Sequence, residues 1–406
     1  MRINGALFIT LVAGLIALTG TPIQAAPQEG ATAEVIGALR AEIQALNERL
    51  AKLEERDTVA ESAYHAPQPA AQAPAPSGWF DKIKLKGDIR YRHEGFNVEG
   101  SRERHRHRVR ARTELQAKIS DALSVGVGLA TGGSDPVSTN QSLDDGASSK
   151  GLMLDLAYLK WKSPVEGLTV TAGKFKNPFH RAGGNGLVWD GDLRPEGVAA
   201  TYQDGSFFLN TAGLWVDESS SDDDSYMLGA QAGVETGIGE GKLIAGLSYF
   251  NYVDSRGESP FFDGDSRGNL VDPDGNYLSA FQLLEGFTEY SFALADAKVT
   301  LFADYARNLD ADDYENAWAL GVKMSQHKWK AGWTYQEVEA DSVLGTFSDS
   351  DFIGGGTDGE GHILKAGYAL TSKVSLNGTL FLNERGVDFG DGDDYRRLQL
   401  DISIKY

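Results

Sequence analysis

The sequence predicts an all-β protein: a 16-stranded antiparallel transmembrane β-barrel preceded by an N-terminal periplasmic coiled-coil helix. Three observations predict it. Apolar and charged residues alternate over long runs, as where Ile83, Leu85, Ile89 and Tyr91 oppose Lys82, Lys84, Lys86, Asp88, Arg90 and Arg92; period two over roughly ten residues suits a tilted membrane strand with a wet inner face. The connections between such runs alternate between shorter and longer, as a closed barrel requires and a soluble sandwich does not. The last run sets Leu398, Leu400, Ile402, Ile404 and Tyr406 against Arg397, Gln399, Asp401, Ser403 and Lys405. Paired with the first strand, it would leave no sheet edge in lipid.

Composition narrows the field by exclusion. The 406 residues include no Cys, which removes disulfides, thiolate metal sites and a Cys nucleophile. The formal net charge of -20 lacks the basic footprint of a nucleic-acid binder, so no nucleic-acid partner is expected. Beyond the N-terminus no stretch reaches the roughly 18 apolar residues of a spanning helix.

Taken in order, residues 1–25 read as a signal peptide. Arg2 is a minimal positive region, Ala6 to Leu18 is apolar, and Ala25 or Ala26 ends a small-residue cleavage site. Residues 26–56 read as a periplasmic helix. Ile36, Ile43 and Leu50 fall at heptad position a, and Leu39, Leu46 and Leu53 at d. Such a short seam is marginal alone, and it leaves dimer and trimer both open. Residues 57–78 form a linker with Pro67, Pro69, Pro74 and Pro76 among Ala and Gln. Residues 79–406 make the barrel.

Strands are predicted near 82–92, 108–119, 123–131, 152–162, 168–176, 196–202, 206–216 and 226–235. Others are predicted near 243–253, 285–294, 298–307, 315–324, 329–338, 361–370, 373–382 and 395–406. The segments 196–202 and 206–216 are poorly patterned and leave 14 or 18 strands open. Connections 120–122, 163–167, 203–205, 236–242, 295–297, 325–328 and 371–372 are short. Those at 132–151, 177–195, 254–284 and 339–360 are long and rich in Gly, Asp and Ser, while 94–107, 217–225, 308–314 and 383–394 are intermediate. An even strand count puts both barrel ends on the short-turn, periplasmic side. Trp79, Trp161 and Trp329 near that side, and Trp215 and Trp318 near the other, suit aromatic girdles at the two membrane interfaces.

Several runs carry a resemblance. They are Arg106-His107-Arg108-Val109-Arg110-Ala111-Arg112, Leu156-Ala157-Tyr158-Leu159-Lys160-Trp161, Gly173-Lys174-Phe175-Lys176-Asn177-Pro178-Phe179, Trp189-Asp190-Gly191-Asp192-Leu193-Arg194-Pro195-Glu196-Gly197, Leu284-Glu285-Gly286-Phe287-Thr288-Glu289 and Thr346-Phe347-Ser348-Asp349-Ser350-Asp351-Phe352, followed by Gly354-Gly355-Gly356-Thr357-Asp358-Gly359. With the final strand, the sequence resembles the "putative porin" family of Gram-negative outer membranes. The helix-plus-barrel layout also resembles phosphate- and pyrophosphate-selective porins. The resemblance implies a passive homotrimeric diffusion channel for small hydrophilic solutes and ions. It implies a cell outer membrane location, with lipopolysaccharide and outer-membrane lipid around the barrel. The C-terminal strand resembles the signal that such barrels present to the outer-membrane barrel assembly machinery.

By parity, Lys84, Lys86, Arg90, Arg92, Arg106, Arg108, Arg110, Arg112 and Glu114 face the pore, because Arg or Lys facing lipid at mid-depth costs about 2–4 kcal/mol. A ladder of cations would give a modest anion preference. Pairing with inward Asp88, Glu114, Asp155, Glu235 or Glu289 would instead give a transverse field without selectivity. The loop after the fifth strand carries His180, Arg181, Asp190, Asp192 and Arg194 and is expected to fold inward as the constriction, with a rim position as the alternative. Asp272 to Asn276 lacks the spacing of a calcium loop, and the seven His are scattered along the chain. No catalytic grouping, metal site or cofactor is predicted. A barrel enzyme, a structural or adhesive barrel and a soluble sandwich remain the competing readings.

Overall fold

A computed structural model describes residues 44–45, 48–49, 82–218, 224–390 and 392–406. The chain divides into two units, residues 1–75 and 76–406. In the first, Gln44, Ala45, Glu48 and Arg49 are helical and exposed; the predicted signal peptide, linker, Trp79 and all six predicted a and d residues lie outside the described residues.

In the second unit the chain forms β1 (Ile83–Val98), β2 (Arg104–Lys118), β3 (Leu123–Thr131), the two-residue β4 (Gln141–Ser142), β5 (Leu152–Lys162) and β6 (Leu168–Lys174). Next come β7 (Glu196–Asp204), β8 (Phe207–Asp217), β9 (Ser225–Ile238), β10 (Gly241–Val253), β11 (Phe281–Leu294) and β12 (Ala297–Asn308). The series ends with β13 (Asn316–Gln326), β14 (Trp329–Val338), β15 (Gly359–Ala369), β16 (Val374–Arg385) and β17 (Asp393–Lys405). Every long strand pairs antiparallel with its neighbours in sequence, and β17 pairs with β1 from Asp88↔Lys405 to Val98↔Tyr395. The sheet is therefore a closed barrel of sixteen staves, with β4 continuing the wall beside Arg108 and Val109 of β2 beyond the end of β3.

Each predicted strand has its counterpart, including the two poorly patterned ones, which are β7 and β8. The connection expected at 94–107 is mostly strand, because β1 and β2 pair as far as Phe96↔Arg104. Polar residues on both faces there (His93, Glu94, His105, Arg106) hide the alternation from hydrophobicity. Similarly, 236–242 shrinks to a two-residue turn at 239–240, where Gly239 takes φ +59°. The sorting of turns is thus sharper than the sequence suggests.

Burial is inverted relative to a soluble protein. Leu85, Ile89, Leu115, Leu247, Leu301, Leu320, Leu400 and Ile402 are exposed on the outer face, while Arg92, Glu94, Glu114, Gln231, Glu285, Arg397 and Gln399 are buried inside. Water would penalise so much exposed apolar surface, and lipid does not. At the seam, Tyr406 N donates to Gly87 O at 3.1 Å and Gly87 N donates to Tyr406 O at 3.2 Å. The Tyr406 ring lies over Gly87, where a Cβ would stand 2.2 Å from Arg112 O and 2.5 Å from the phenol oxygen. An aromatic covering a glycine in this way pins strand register. Gly87→Val should push the ring off the seam at a cost of about 1–3 kcal/mol. A lower temperature for the folded-to-unfolded shift on SDS gels is expected, and an unchanged temperature would contradict this role.

Candidate functional site

β1, β2 and β17 turn a stripe of charge inward. Cross-strand register sets Arg90 opposite Arg110 and Arg92 opposite Arg108, which would repel if left alone. Acids relieve them. Arg92 makes a bidentate pair with Asp401 of β17, at 2.7 and 2.8 Å, and reaches Asp351 at 3.2 Å. Glu94 is fully buried and accepts from Arg106 and Arg397, both at 2.6 Å. Arg110 and Arg112 share Asp88, at 2.7 and 2.9 Å. Arg90 donates to Asn140 Oδ1 at 2.6 Å, and Arg108 donates to Asn140 O at 3.2 Å. Bidentate guanidinium–carboxylate pairs of this kind fix geometry as well as charge.

Nearer the short turns, Glu114 gathers donors. It accepts from Lys176 at 2.7 Å, Tyr158 at 2.8 Å and Gln116 at 2.7 Å, with Lys86 Nζ at 3.5 Å. Lys84 lines a cavity of about 870 Å³ with Lys82, Lys118, Lys160 and Lys162. Of the acids proposed from parity, Asp88 and Glu114 pair with the stripe, and Asp155 lies 3.5 Å from Arg194 Nε. Glu235 pairs instead with Lys242, and Glu289 accepts from Gly183 N at 2.8 Å.

Residues 175–195, between β6 and β7, contact opposite walls of the barrel. The turn Ala182–Gly184 packs on β11, β12 and β13. There Lys323 Nζ donates to Gly183 O, and Asn185 donates to Asp304 Oδ2 at 2.7 Å. A Cβ at Gly183 would sit 2.3 Å from the Phe302 ring, and its φ is +57°, so both space and backbone require glycine. On the other side Asp192 meets Arg110 at 3.3 Å and Arg112 at 2.8 Å. His180 Nε2 lies 3.9 Å from Glu289. Arg181 braces its own loop by donating to Asn185 O at 3.1 Å and Trp189 O at 2.9 Å. Arg194 likewise donates to Gly191 O at 3.0 Å.

The long loops interlock. Asp190 N donates to Phe347 O at 2.7 Å, Ser350 N donates to Asp190 Oδ2 at 2.9 Å, and Asp349 N donates to Gly186 O at 3.0 Å. Ser350 Oγ donates to Val137 O at 3.1 Å, and Asn269 donates to Ala340 O at 2.7 Å and Val343 O at 2.8 Å. Segments 132–151, 175–195, 254–280 and 339–358 are therefore tied together. Beneath them Phe175, Phe179, Leu187, Val188, Trp189 and Leu193 pack with Phe250, Tyr252, Phe281, Leu283, Val343, Leu344 and Phe352 in one buried apolar cluster.

Burial, with Asp349 and Asp192 nearby, pushes the Asp190 carboxyl up to about 7. Burial would also raise Asp192, but Arg110 and Arg112 outweigh it and hold that carboxyl below its ordinary range. The raised Asp190 value means that the fold prefers the protonated acid. Its contribution to loop stability is complete below the ordinary carboxylate range and is lost as pH rises through about 7. Hydrogen exchange in 175–195, corrected for intrinsic rates, should therefore be faster at pH 8.5 than at pH 5.5, on the order of tenfold. Asp190→Asn should flatten that dependence; equal protection at both pH values in the wild type would exclude it.

Sequence reasoning missed Glu94, Asp351, Asp401, Arg397 and Asn140 as partners of the stripe. Parity placed Arg397 and Asp401 on the charged face of the last strand, and only the closing register brings them to Arg92 and Glu94. It also missed that His93, His105 and His107 converge on the outer face, with ring centroids 5.6 and 4.8 Å from His93. Among the described residues no group of three His, Cys, Asp or Glu is arranged to hold a metal ion. Asp272 to Asn276 is a self-closed turn, in which Asp272 Oδ1 accepts from Asp274 N at 2.9 Å and Asn276 N at 3.0 Å.

Residues 96–269 and 294–405 match the model of the family described as "Putative porin". Among solved structures, the barrel is similar to OprB of Pseudomonas putida at high pH, with 13% identity, 80% of this chain and 95% of that chain covered, and a TM-score of 0.56. It is also similar to OmpF of Salmonella typhi in complex with daunomycin, with 11% identity, 80% and 97% covered, and a TM-score of 0.51. At these identities the likeness concerns the fold alone. Comparison with curated proteins found no match. A closed sixteen-stave barrel, apolar outside and charged within, matched by the family model over most of its length, makes this chain a member of the "Putative porin" family and an outer-membrane porin of a Gram-negative bacterium.

Proposed function

We propose that small hydrophilic solutes and ions diffuse passively through the part of the lumen bounded by two charged surfaces. One carries Lys84, Lys86, Arg90, Arg92, Arg106, Arg108, Arg110, Arg112 and Glu114. The other is a constriction loop carrying His180, Arg181, Asp190, Asp192 and Arg194. The observation that carries this reading is the double ion pair of Asp192 with Arg110 at 3.3 Å and Arg112 at 2.8 Å, which draws the loop to the cationic wall. The opposite part of the lumen is filled by the apolar cluster around Trp189. A hydrated solute in the remaining path can trade water for guanidinium and carboxylate partners; an apolar one cannot. Most arginines of the stripe already hold carboxylates, so any anion preference from them is modest. A channel role fits better than an enzyme, and a homotrimer in contact with lipopolysaccharide fits the family and the heptad spacing before the barrel.

Single-channel recording of the purified protein in planar bilayers tests the reading. Stepwise conductance is expected, with a zero-current potential in a KCl gradient leaning slightly to anions. No conductance steps would overturn the channel; a cation-leaning potential would overturn the anion preference.

A further inference from the structure

Charge is nearly balanced in the middle of the lumen and unbalanced at its periplasmic end. Lys84, Lys160 and Lys162 line the cavity of about 870 Å³, and among the described residues no side-chain hydrogen bond or ion pair joins them to another residue. A second cavity, of about 440 Å³, is lined by Lys298, Lys330 and Lys365, which likewise make no side-chain hydrogen bond or close ion pair among the described residues. Register shows how close the cations stand. Lys118 and Lys160 both oppose Ser124, and Lys323 and Lys365 both oppose Gly332. Two strand spacings, about 10 Å, therefore separate the backbones of each pair, within bridging reach of long side chains. Asp121, the acid lining the first cavity, is held by Lys118 at 2.8 Å.

Resting on the porin reading, we propose that the two lysine clusters form a periplasmic vestibule that concentrates small anions bearing two or more charges and makes the channel respond differently to such anions from its two sides. A univalent anion gains one contact at a time. A multivalent one bridges neighbouring ammonium groups, as surface charge of one sign in a walled cavity favours. The arginine stripe cannot do this equally well, because most of its charges are already paired with Asp88, Glu94, Asp192, Asp351 and Asp401.

Citrate added to one chamber and then the other of a bilayer holding single channels in KCl tests the proposal. Citrate should reduce the current from one side at a concentration on the order of tenfold lower than from the other. Replacing Lys84, Lys160, Lys162, Lys298, Lys330 and Lys365 together by Gln should reduce that difference to under about twofold and bring the chloride-to-potassium permeability ratio toward unity. Equal action of citrate from both sides of the wild type would overturn the vestibule, as would retained asymmetry in the variant. Should the variant fail to assemble, acetylation of lysine amines on the reconstituted wild type, which leaves arginine charged, must abolish the asymmetry; persistence overturns the proposal. Absence of channels altogether would instead refute the porin reading beneath it.

Discussion

Glu94→Gln should destabilise the barrel and shift its ion preference toward anions in one step. Glu94 is 0% exposed and sits among three guanidiniums, with Arg106 and Arg397 at 2.6 Å and Arg92 at 3.6 Å. Gln keeps the shape and one acceptor but removes the charge. Breaking a buried pair from one side costs about 3–5 kcal/mol, chiefly because the partner charge stays buried. Arg397 suffers most: it is 3% exposed, wedged with its guanidinium 4.9 Å from the Phe96 ring and 5.9 Å from that of Phe381. The expected results are a lower unfolding midpoint in denaturant, and a zero-current potential further toward anions in channels that still assemble. An unchanged midpoint with unchanged selectivity would show that Asp351 and Asp401 suffice to hold the cluster.

Trp189→Ala should loosen the loop that crosses the lumen. The indole is 1% exposed and lies 5.0 Å from Phe250 at 87°, 5.9 Å from Phe179 and 6.4 Å from Phe347. Phe250 belongs to the wall, Phe179 to the same loop and Phe347 to the 339–358 segment, so one side chain joins three bodies. Truncating a buried Trp costs about 3–5 kcal/mol including the cavity left behind. The polar ties at Gly183, Asn185 and Asp192 remain, so the barrel should still assemble. Larger and noisier open-channel current is expected, with faster exchange in 175–195. Current indistinguishable from wild type would mean that the polar ties alone fix the loop.

Facing was legible in the sequence because parity needs only local alternation: Arg110 is inward whenever Val109 is outward. Partnership was not, because it depends on which residues the closed register brings together. Asp401 and Arg92 are distant in sequence and meet only when β17 lies against β1. Strand ends were legible where one face is apolar, as at Leu398 to Tyr406, and illegible where both faces are polar, as from His93 to Arg106. The loop after the fifth strand could be identified from its place and its glycines. Its route could not, because that depends on Trp189 finding Phe250 and on Gly183 clearing Phe302, contacts between segments far apart in the chain.

The charge stripe bears on how the barrel knows it has closed correctly. A slip of one residue between β1 and β17 would turn every leucine of the last strand inward, so the apolar pattern forbids it. A slip of two would keep every leucine outward, and hydrophobicity could not detect the error. One way, it would set Asp401 opposite Glu94 and Arg397 opposite Val98, opposing two carboxylates and breaking both buried pairs; the other way, it would keep opposite charges facing but carry Tyr406 from Gly87 to Leu85. Lipid thus selects the face each strand presents, while the charged pairs and the seat of Tyr406 over Gly87 together select its position along the seam. The arginines and carboxylates proposed to meet the solute also guard the seam against one closure that hydrophobicity cannot detect.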